Sequence, residues 1–141
     1  MPASLLIALG PTGTLIDTFG SNGFADLTRD EGTQIRALAV RADDTVTAAG
    51  WIDRTGVLQY DFFIARTTFD GDLDTRFDGN GVRRVEFDLT NNSYDRPTAM
   101  TLSAQRPVIV GNVQNLSGPE PWNTGVLRMK SDLIFASDND R

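Results

Sequence analysis

Short apolar runs alternate along the chain with turns rich in Gly, Asp and Asn. In the middle of the sequence the runs 36–41, 45–52 and 60–67 are β-prone, and 82–87 alternates between apolar and polar residues. Asp is favoured in turns because its side chain accepts local backbone hydrogen bonds, and Gly is favoured because it takes a positive φ at no steric cost. Positions 33–42 also fit a helix, but the short spacing between turns favours a strand. The sequence therefore predicts an all-β chain.

The pattern repeats along the chain with a period of about 60 residues. One unit contains four short antiparallel strands joined by turns, which is the pattern of a propeller blade. We therefore predict a single repeat-built β domain over 1–136, with a partial blade (5–28), a full blade (36–87), a nearly full blade (98–136) and a disordered tail over 137–141. Four pairs of segments carry the repeat, namely 7–8 with 64–65 at an offset of 57, 13–23 with 71–81 at 58, 36–50 with 98–111 at 61 to 62, and 64–66 with 126–128 at 62.

The order of motifs in the second copy, F-x-I-A-R followed by D-G-x-L-D-x-x-F-x-x-N-G, resembles the bacterial delta-60 repeat. The resemblance implies a propeller-like blade that usually occurs in longer tandem arrays, and it implies no particular activity. The first copy departs from the pattern, because it has Thr12 and Ile16 where the second has Asp70 and Asp74. The matching residues are Phe62, Ile64, Ala65, Arg66, Asp70, Gly71, Leu73, Asp74, Phe77, Asn80, Gly81, Ala37, Ala39 and Gly50.

About two and a half blades leave a propeller incomplete, since propellers close with typically ~4–8 blades. Open sheet edges and an exposed apolar flank are normally covered. Association of identical chains covers them most simply, so the sequence predicts a homo-oligomeric ring completed by the N-terminal strands of the neighbouring subunit. A monomeric array, a face-to-face dimer and a calcium-stabilised fragment of a larger surface protein are the open alternatives.

The composition narrows the chemistry that the chain can perform. Among its 141 residues there is no Cys and no His, which excludes disulfides, thiol nucleophiles, zinc fingers and His-based catalysis. The net charge of −6 disfavours binding to nucleic acid or to anionic membranes. No apolar run approaches the roughly 20 residues of a membrane span or forms a signal-peptide core, so we expect a soluble protein of undetermined compartment.

The loop 70–78 is the sharpest candidate metal site. Its carboxylates stand at positions 1, 3, 5 and 9, and Ca²⁺ prefers about six to eight oxygen ligands. Alternatively, Asp70 and Asp74 cap backbone amides of the turn, since the first copy keeps the turn without carboxylates at the corresponding positions. Calcium is the only cofactor that the sequence suggests, and its candidate ligands are Asp70, Asp72, Asp74 and Asp78.

Three aromatic residues are the candidate ligand-binding residues. Tyr60 and Trp122 occupy the same repeat position, 62 residues apart, and Trp51 follows the strand that contains Gly50. Aromatic side chains on one rim of a propeller stack on sugars or anchor a partner protein. The alternative is that these rings fill gaps between blades.

A glycoside hydrolase-like enzyme, in which two paired carboxylates act as acid and base, is a further alternative. Among 19 acidic residues, some pairs of carboxylates are expected by chance alone. Nothing in the sequence marks a nucleophile or a raised pKa. We therefore predict a non-catalytic binding module, with no catalytic residue assigned, that binds copies of itself and either carbohydrate or a protein surface.

Overall fold

The computed structural model describes residues 4–28, 32–53, 59–90 and 94–130. Within these residues it contains nine strands and no helix, so the all-β prediction is confirmed. This part of the chain accordingly offers no helix that could span a membrane. The predicted tail 137–141 and the last strand of the third unit lie outside the described residues. The strands are β1 (Leu5–Ile7), β2 (Phe24–Asp26), β3 (Thr33–Val40), β4 (Val46–Asp53), β5 (Tyr60–Thr67), β6 (Val82–Val85), β7 (Arg96–Ser103), β8 (Arg106–Gln114) and β9 (Trp122–Arg128).

The strands form three antiparallel sheets in chain order. β1 and β2 form the N-terminal sheet, β3 to β6 form the central sheet, and β7 to β9 form the C-terminal sheet. Within each sheet a strand pairs with the strand that follows it in sequence, which is the connection that short turns allow. The segment that also fits a helix forms β3 and pairs with β4 along its length, so the prediction of a strand there is confirmed.

One face of the central sheet packs against the C-terminal sheet. Phe62 and Ile64 in β5 are completely buried and belong to a core cluster that includes Ile109 and Val113 of β8. Alternate residues of a strand share a face, so these two side chains lie on the same side of the sheet. This first core joins the second and third repeats.

The opposite face of the central sheet packs against the N-terminal sheet. Phe63 and Ala65 alternate with the residues of the first core along β5 and belong to a second core cluster, together with Leu27. Leu6 of β1 packs against this cluster. The continuous apolar run in β5 is therefore the pattern of a strand that is buried on both faces.

The turns that follow β1 and β5 have the same backbone geometry, 58 residues apart. Gly13 and Gly71 have φ of 81° and 90°, and Gly23 and Gly81 have φ of 87° and 86°. Other residues rarely adopt these angles, so the turn requires the glycines that mark the repeat in the sequence. Four backbone hydrogen bonds correspond, namely Gly10 N to Thr14 O with Thr68 N to Asp72 O, Gly13 N to Gly10 O with Gly71 N to Thr68 O, Ile16 N to Ala8 O with Asp74 N to Arg66 O, and Phe19 N to Ile16 O with Phe77 N to Asp74 O.

The strand pairing corrects the alignment of the first repeat by one residue. The pairing of β1 with β2 and of β5 with β6 gives Ile7 the position of Ala65, at an offset of 58. The predicted alignment of Ile7 with Ile64, at an offset of 57, is wrong. Because side chains alternate between the two faces of a strand, this shift turns Ile7 to the outer face and Leu6 toward the core.

Gly50 and Gly111 mark the same site in two repeats, where a bulge brings a carbonyl group against the strand. The bulge lies in the first strand of each pair, β3 or β7. A Cβ atom on Gly50 would lie 1.8 Å from the carbonyl oxygen of Gln34, and one on Gly111 would lie 2.2 Å from that of Arg96. No side chain fits in this space, which explains why glycine recurs here.

We expect Gly50→Ala to destabilise the fold by about 3 kcal/mol, because the new methyl group would meet a backbone atom rather than a flexible side chain. Gly118→Ala is the matched control, since a Cβ there would lie 3.7 Å from the carbonyl oxygen of Glu120. For this control we expect a change within about 0.5 kcal/mol. Urea denaturation measures both free energies of unfolding, and equal values for the two variants would contradict this explanation of the bulge.

Candidate functional site

Three aromatic rings surround the guanidinium group of Arg96, where the central and C-terminal sheets meet. The Cζ atom of Arg96 lies 5.3 Å from the ring centroid of Trp51, 4.8 Å from that of Tyr60 and 5.7 Å from that of Tyr94. A second guanidinium group, that of Arg36, lies 4.5 Å from the Trp51 centroid. Cations at these distances are attracted by the electron-rich faces of the rings. We call these five residues the arginine–aromatic cluster.

Strand pairing and one backbone hydrogen bond hold the rings together. Trp51 in β4 and Tyr60 in β5 lie on the side of the central sheet that faces the C-terminal sheet, and their ring centroids are 6.3 Å apart. The Asp95 N–H donates to the carbonyl oxygen of Tyr60 at 2.7 Å, and Tyr60 forms a parallel bridge with Tyr94. This link between the two sheets brings the Tyr94 and Tyr60 centroids to 5.1 Å.

The bulge in β3 explains the position of Arg36. The pairing of β3 with β4 skips this residue, which is the extra one between Ile35 and Ala37. A bulge bends its strand and changes the direction of the bulged side chain. The guanidinium group of Arg36 can therefore reach the Trp51 ring from the neighbouring strand.

A cavity of about 300 Å³ opens beside the cluster. Its walls carry two positive charges, from Arg36 and Arg96, and no carboxylate within the part of the chain that the structure describes. Neither arginine forms an ion pair with another described residue. The residues that line the cavity are Arg36, Trp51, Arg96, Pro97, Thr98 and Asn112.

The buried carboxylate of Asp95 connects the strands around the cluster. Its Oδ2 atom accepts a hydrogen bond from the Phe87 N–H at 3.2 Å, and its Oδ1 atom accepts one from the Gln114 N–H at 3.3 Å. Burial raises the pKa of Asp95 above its ordinary value, although these two hydrogen bonds act in the opposite direction. Among the described residues, no ion pair joins this carboxylate to Arg96.

The three predicted ligand-binding residues differ in accessibility. The structure brings Trp51 and Tyr60 together, but Trp51 is only 8% exposed and Tyr60 is half-buried. Trp122 is 47% exposed and lies in β9 opposite Gln114. Of these three residues, Trp122 therefore offers the largest open ring surface.

Sequence reasoning misses Arg36, Tyr94 and Arg96. These residues meet the two predicted rings only when two sheets pack against each other, so no local pattern marks them. The repeat gives no signal either, because the counterpart of Arg96 in the preceding repeat is Gln34, and the counterpart of Arg36 in the following repeat is Thr98. The cluster is therefore a departure from the repeat.

Two arginines neutralise Asp74, the central carboxylate of the predicted metal loop. Asp74 is 2% exposed, and its oxygens lie 2.9 Å from the Nε atoms of both Arg66 and Arg76. The backbone N–H of Arg76 also donates to Asp74 Oδ1 at 3.1 Å, which confirms the predicted capping role of Asp74. Burial acts to raise the pKa of Asp74, but the hydrogen bonds from Arg76 and the charges of both arginines outweigh it and lower the pKa below its ordinary value.

The other carboxylates of this loop have different surroundings. Asp78 pairs with Arg83 at 2.8 Å, whereas Asp70 and Asp72 are exposed. Across the described ranges, no group of three or more His, Cys, Asp or Glu side chains is arranged to hold a metal ion. The calcium site therefore stays a prediction that the arrangement of these residues does not support.

Two comparisons with known proteins find no relative of this chain. No protein-family model matches the chain. A search of curated proteins also finds no match. What the protein does is therefore inferred from the geometry of the residues described above.

We expect Asp74→Asn to destabilise the protein by about 3 kcal/mol, because the buried guanidinium group of Arg66 would lose a charge partner. Asp72→Asn is the matched control, because Asp72 is exposed and its substitution should change the stability by no more than about 0.5 kcal/mol. Urea denaturation at neutral pH measures both effects. Equal effects of the two substitutions would show that the ion pair has no structural role.

The effect of Asp74→Asn should depend on pH. The fold lowers the pKa of Asp74 below the ordinary value of 3.8, so the folded state favours the ionised form. The resulting stabilisation is present above pH 3.8 and is lost as the pH falls through the lower folded-state pKa. The stability difference between wild type and Asp74→Asn should therefore be full at neutral pH and should shrink in strong acid. A difference that stays constant over this range would be inconsistent with the lowered pKa.

Proposed function

We propose that the chain is a non-catalytic interaction module, built from delta-60-like repeats, that associates head to tail with copies of itself into a propeller-like ring. The support comes from two exposed faces, one at each end of the row of sheets, of which the first is apolar and the second carries Trp122 and Val126 beside polar residues. Each exposed face is the repeat counterpart of a face that is covered inside the chain. We assign no catalytic residue.

The outer side of the N-terminal sheet, which we call the N-terminal face, is apolar and exposed. Ile7 is 47% exposed and pairs across the sheet with Phe24, which is also exposed. Leu9 forms a bridge with Leu15 in the turn that follows β1. Monomeric proteins rarely leave a large continuous apolar patch open to water. The N-terminal face consists of Leu5, Ile7, Leu9, Leu15 and Phe24.

The counterpart of this face in the central sheet is covered. Phe63 and Ala65, which lie 58 residues after Leu5 and Ile7, are buried against the N-terminal sheet. The same strand surface is therefore open in one repeat and closed in the next. This contrast is the observation that carries the proposal, because it indicates what kind of surface covers the open face.

The outer side of the C-terminal sheet, which we call the C-terminal face, is the second open surface. Val126 is 61% exposed, and Trp122 projects from the same side of β9. Their counterparts 62 residues earlier, Ile64 and Tyr60, face the C-terminal sheet. We therefore assign Trp122 to a contact with protein rather than with a sugar.

The packing inside the chain indicates how the two faces would fit together. Leu6 packs against the cluster that contains Ala65. Leu6 is a repeat counterpart of Val126, and Ala65 is the counterpart of Ile7. The other interface agrees, since Leu127, a further counterpart of Ile7, packs against the first core. Both internal interfaces favour a contact between Val126 of one copy and Ile7 of the next.

A contact between two different faces is heterologous, so it produces a ring when the rotation closes and a filament when it does not. In this contact the N-terminal strands remain a sheet of their own, so each copy would supply three sheets. Two copies would give about six sheets, within the roughly 4–8 blades of closed propellers, whereas three copies would exceed that range. A closed ring would leave neither face exposed.

We expect the wild-type chain to be oligomeric, and we expect Ile7→Asp and Val126→Asp each to block assembly, because each buries a charge in the contact. Each variant keeps one intact face, so an equimolar mixture of the two should form a one-to-one complex. Leu116→Asp is the matched control, because Leu116 is an exposed loop residue outside both faces. Light scattering after gel filtration measures the masses.

Three outcomes would contradict the proposal. The first is a wild-type chain that is monomeric. The second is an effect of Leu116→Asp as large as that of the two face variants. The third is a Val126→Asp variant that still dimerises while Ile7→Asp does not, because N-terminal faces would then pair with each other.

A further inference from the structure

Arg36 and Arg96 bring two positive charges to a cavity that no described carboxylate lines. Arg66, by comparison, lies 2.9 Å from Asp74. The two cavity arginines stay without an ion pair among the described residues, although the whole chain carries a net charge of −6. The two positive charges on the Trp51 ring repel each other, and an anion bound between them would offset this repulsion. The cavity is therefore complementary to a negative group.

Contact with an aromatic ring does not use up the N–H groups of a guanidinium group. A guanidinium group stacks on an aromatic ring through its flat face, and its N–H groups then point outward in the plane. The Nε atom of Arg96 is buried and has no hydrogen-bond partner among the described residues. This N–H group is closed to solvent, so the donors for an anion in the cavity would be the terminal N–H groups of the two arginines.

A neutral side chain adds a further donor. Asn112 pairs with Arg96 across β7 and β8 and lines the same cavity. Its amide group carries two N–H donors that suit an oxyanion. Asp95, the acidic residue adjacent to Arg96 in the chain, accepts hydrogen bonds from backbone N–H groups instead.

We propose that this cavity binds a small oxyanion, with one carboxylate or phosphate group held by Arg36 and Arg96. The forked donors of arginine match the paired oxygens of such groups, which is why arginine predominates in their recognition. The volume of about 300 Å³ lies at the lower end of the roughly 300–1,000 Å³ of small-molecule sites, so the ligand is compact. The Trp51 ring contacts both guanidinium groups, so its NMR signal should change when an anion binds.

An NMR titration of the ¹⁵N-labelled chain tests the site, with inorganic phosphate in one series and acetate in the other. Sodium chloride at equal ionic strength controls for screening. The indole N–H signal of Trp51 should shift and saturate, while that of Trp122 should not. Saturation with phosphate, acetate or both supports the site and identifies the bound group. The absence of a saturable shift with either anion overturns the proposal.

Variants of Arg36 separate binding from nonspecific charge effects. Arg36 is exposed, so Arg36→Gln should fold normally, and it should weaken binding about tenfold or more through the loss of charged hydrogen bonds. Arg36→Lys keeps the charge without the fork and should bind with intermediate affinity. Lys130→Gln is the control, with the same charge change at an exposed residue outside the cavity. Wild-type affinity in Arg36→Gln, or an equal loss in Lys130→Gln, would overturn the proposal.

Discussion

Burial of both faces of the central sheet is the constraint on which the rest of the structure depends. β5 is apolar over the consecutive residues 62–65, and its two faces pack against two different sheets. A sheet with two apolar faces is stable in water only when a neighbour covers each of them. Within the chain each repeat covers the next, as in other repeat proteins, so an uncovered face remains at each end of the described sheets.

The two interfaces differ in what they contribute. Between the N-terminal and central sheets the turns contact each other, because the Gly20 N–H donates to the Asp70 carbonyl oxygen at 2.6 Å. The Phe19 ring lies so close to Gly71 that a Cβ atom there would approach it to 3.0 Å. Between the central and C-terminal sheets, Arg96 and its rings lie at the boundary and leave a charged cavity. The repeat is the basis of the proposed assembly, and its local divergence is the basis of the proposed anion site.

Features that depend on neighbouring residues can be predicted from the sequence. The turn glycines, the strand β5 and the capping role of Asp74 are of this kind. The period of the repeat follows from comparing such local patterns along the chain. The register of β1 cannot be predicted, because residues 5–7 are all apolar and their alternation marks no face. Trp51 and Tyr60 can be named as candidates, but Arg96 cannot, because β4, β5 and β7 meet only after two sheets have packed.

Cross-linking between copies tests most directly whether the two end faces cover each other. The chain contains no Cys, so Ile7→Cys and Val126→Cys each introduce a single thiol. A short bismaleimide can span the roughly 10 Å between packed sheets. If the two end faces cover each other, the cross-linked products from a mixture of the two variants will consist almost entirely of one Ile7→Cys chain joined to one Val126→Cys chain. Cross-links mainly within one variant, or a yield no higher than that of Leu116→Cys, would contradict it.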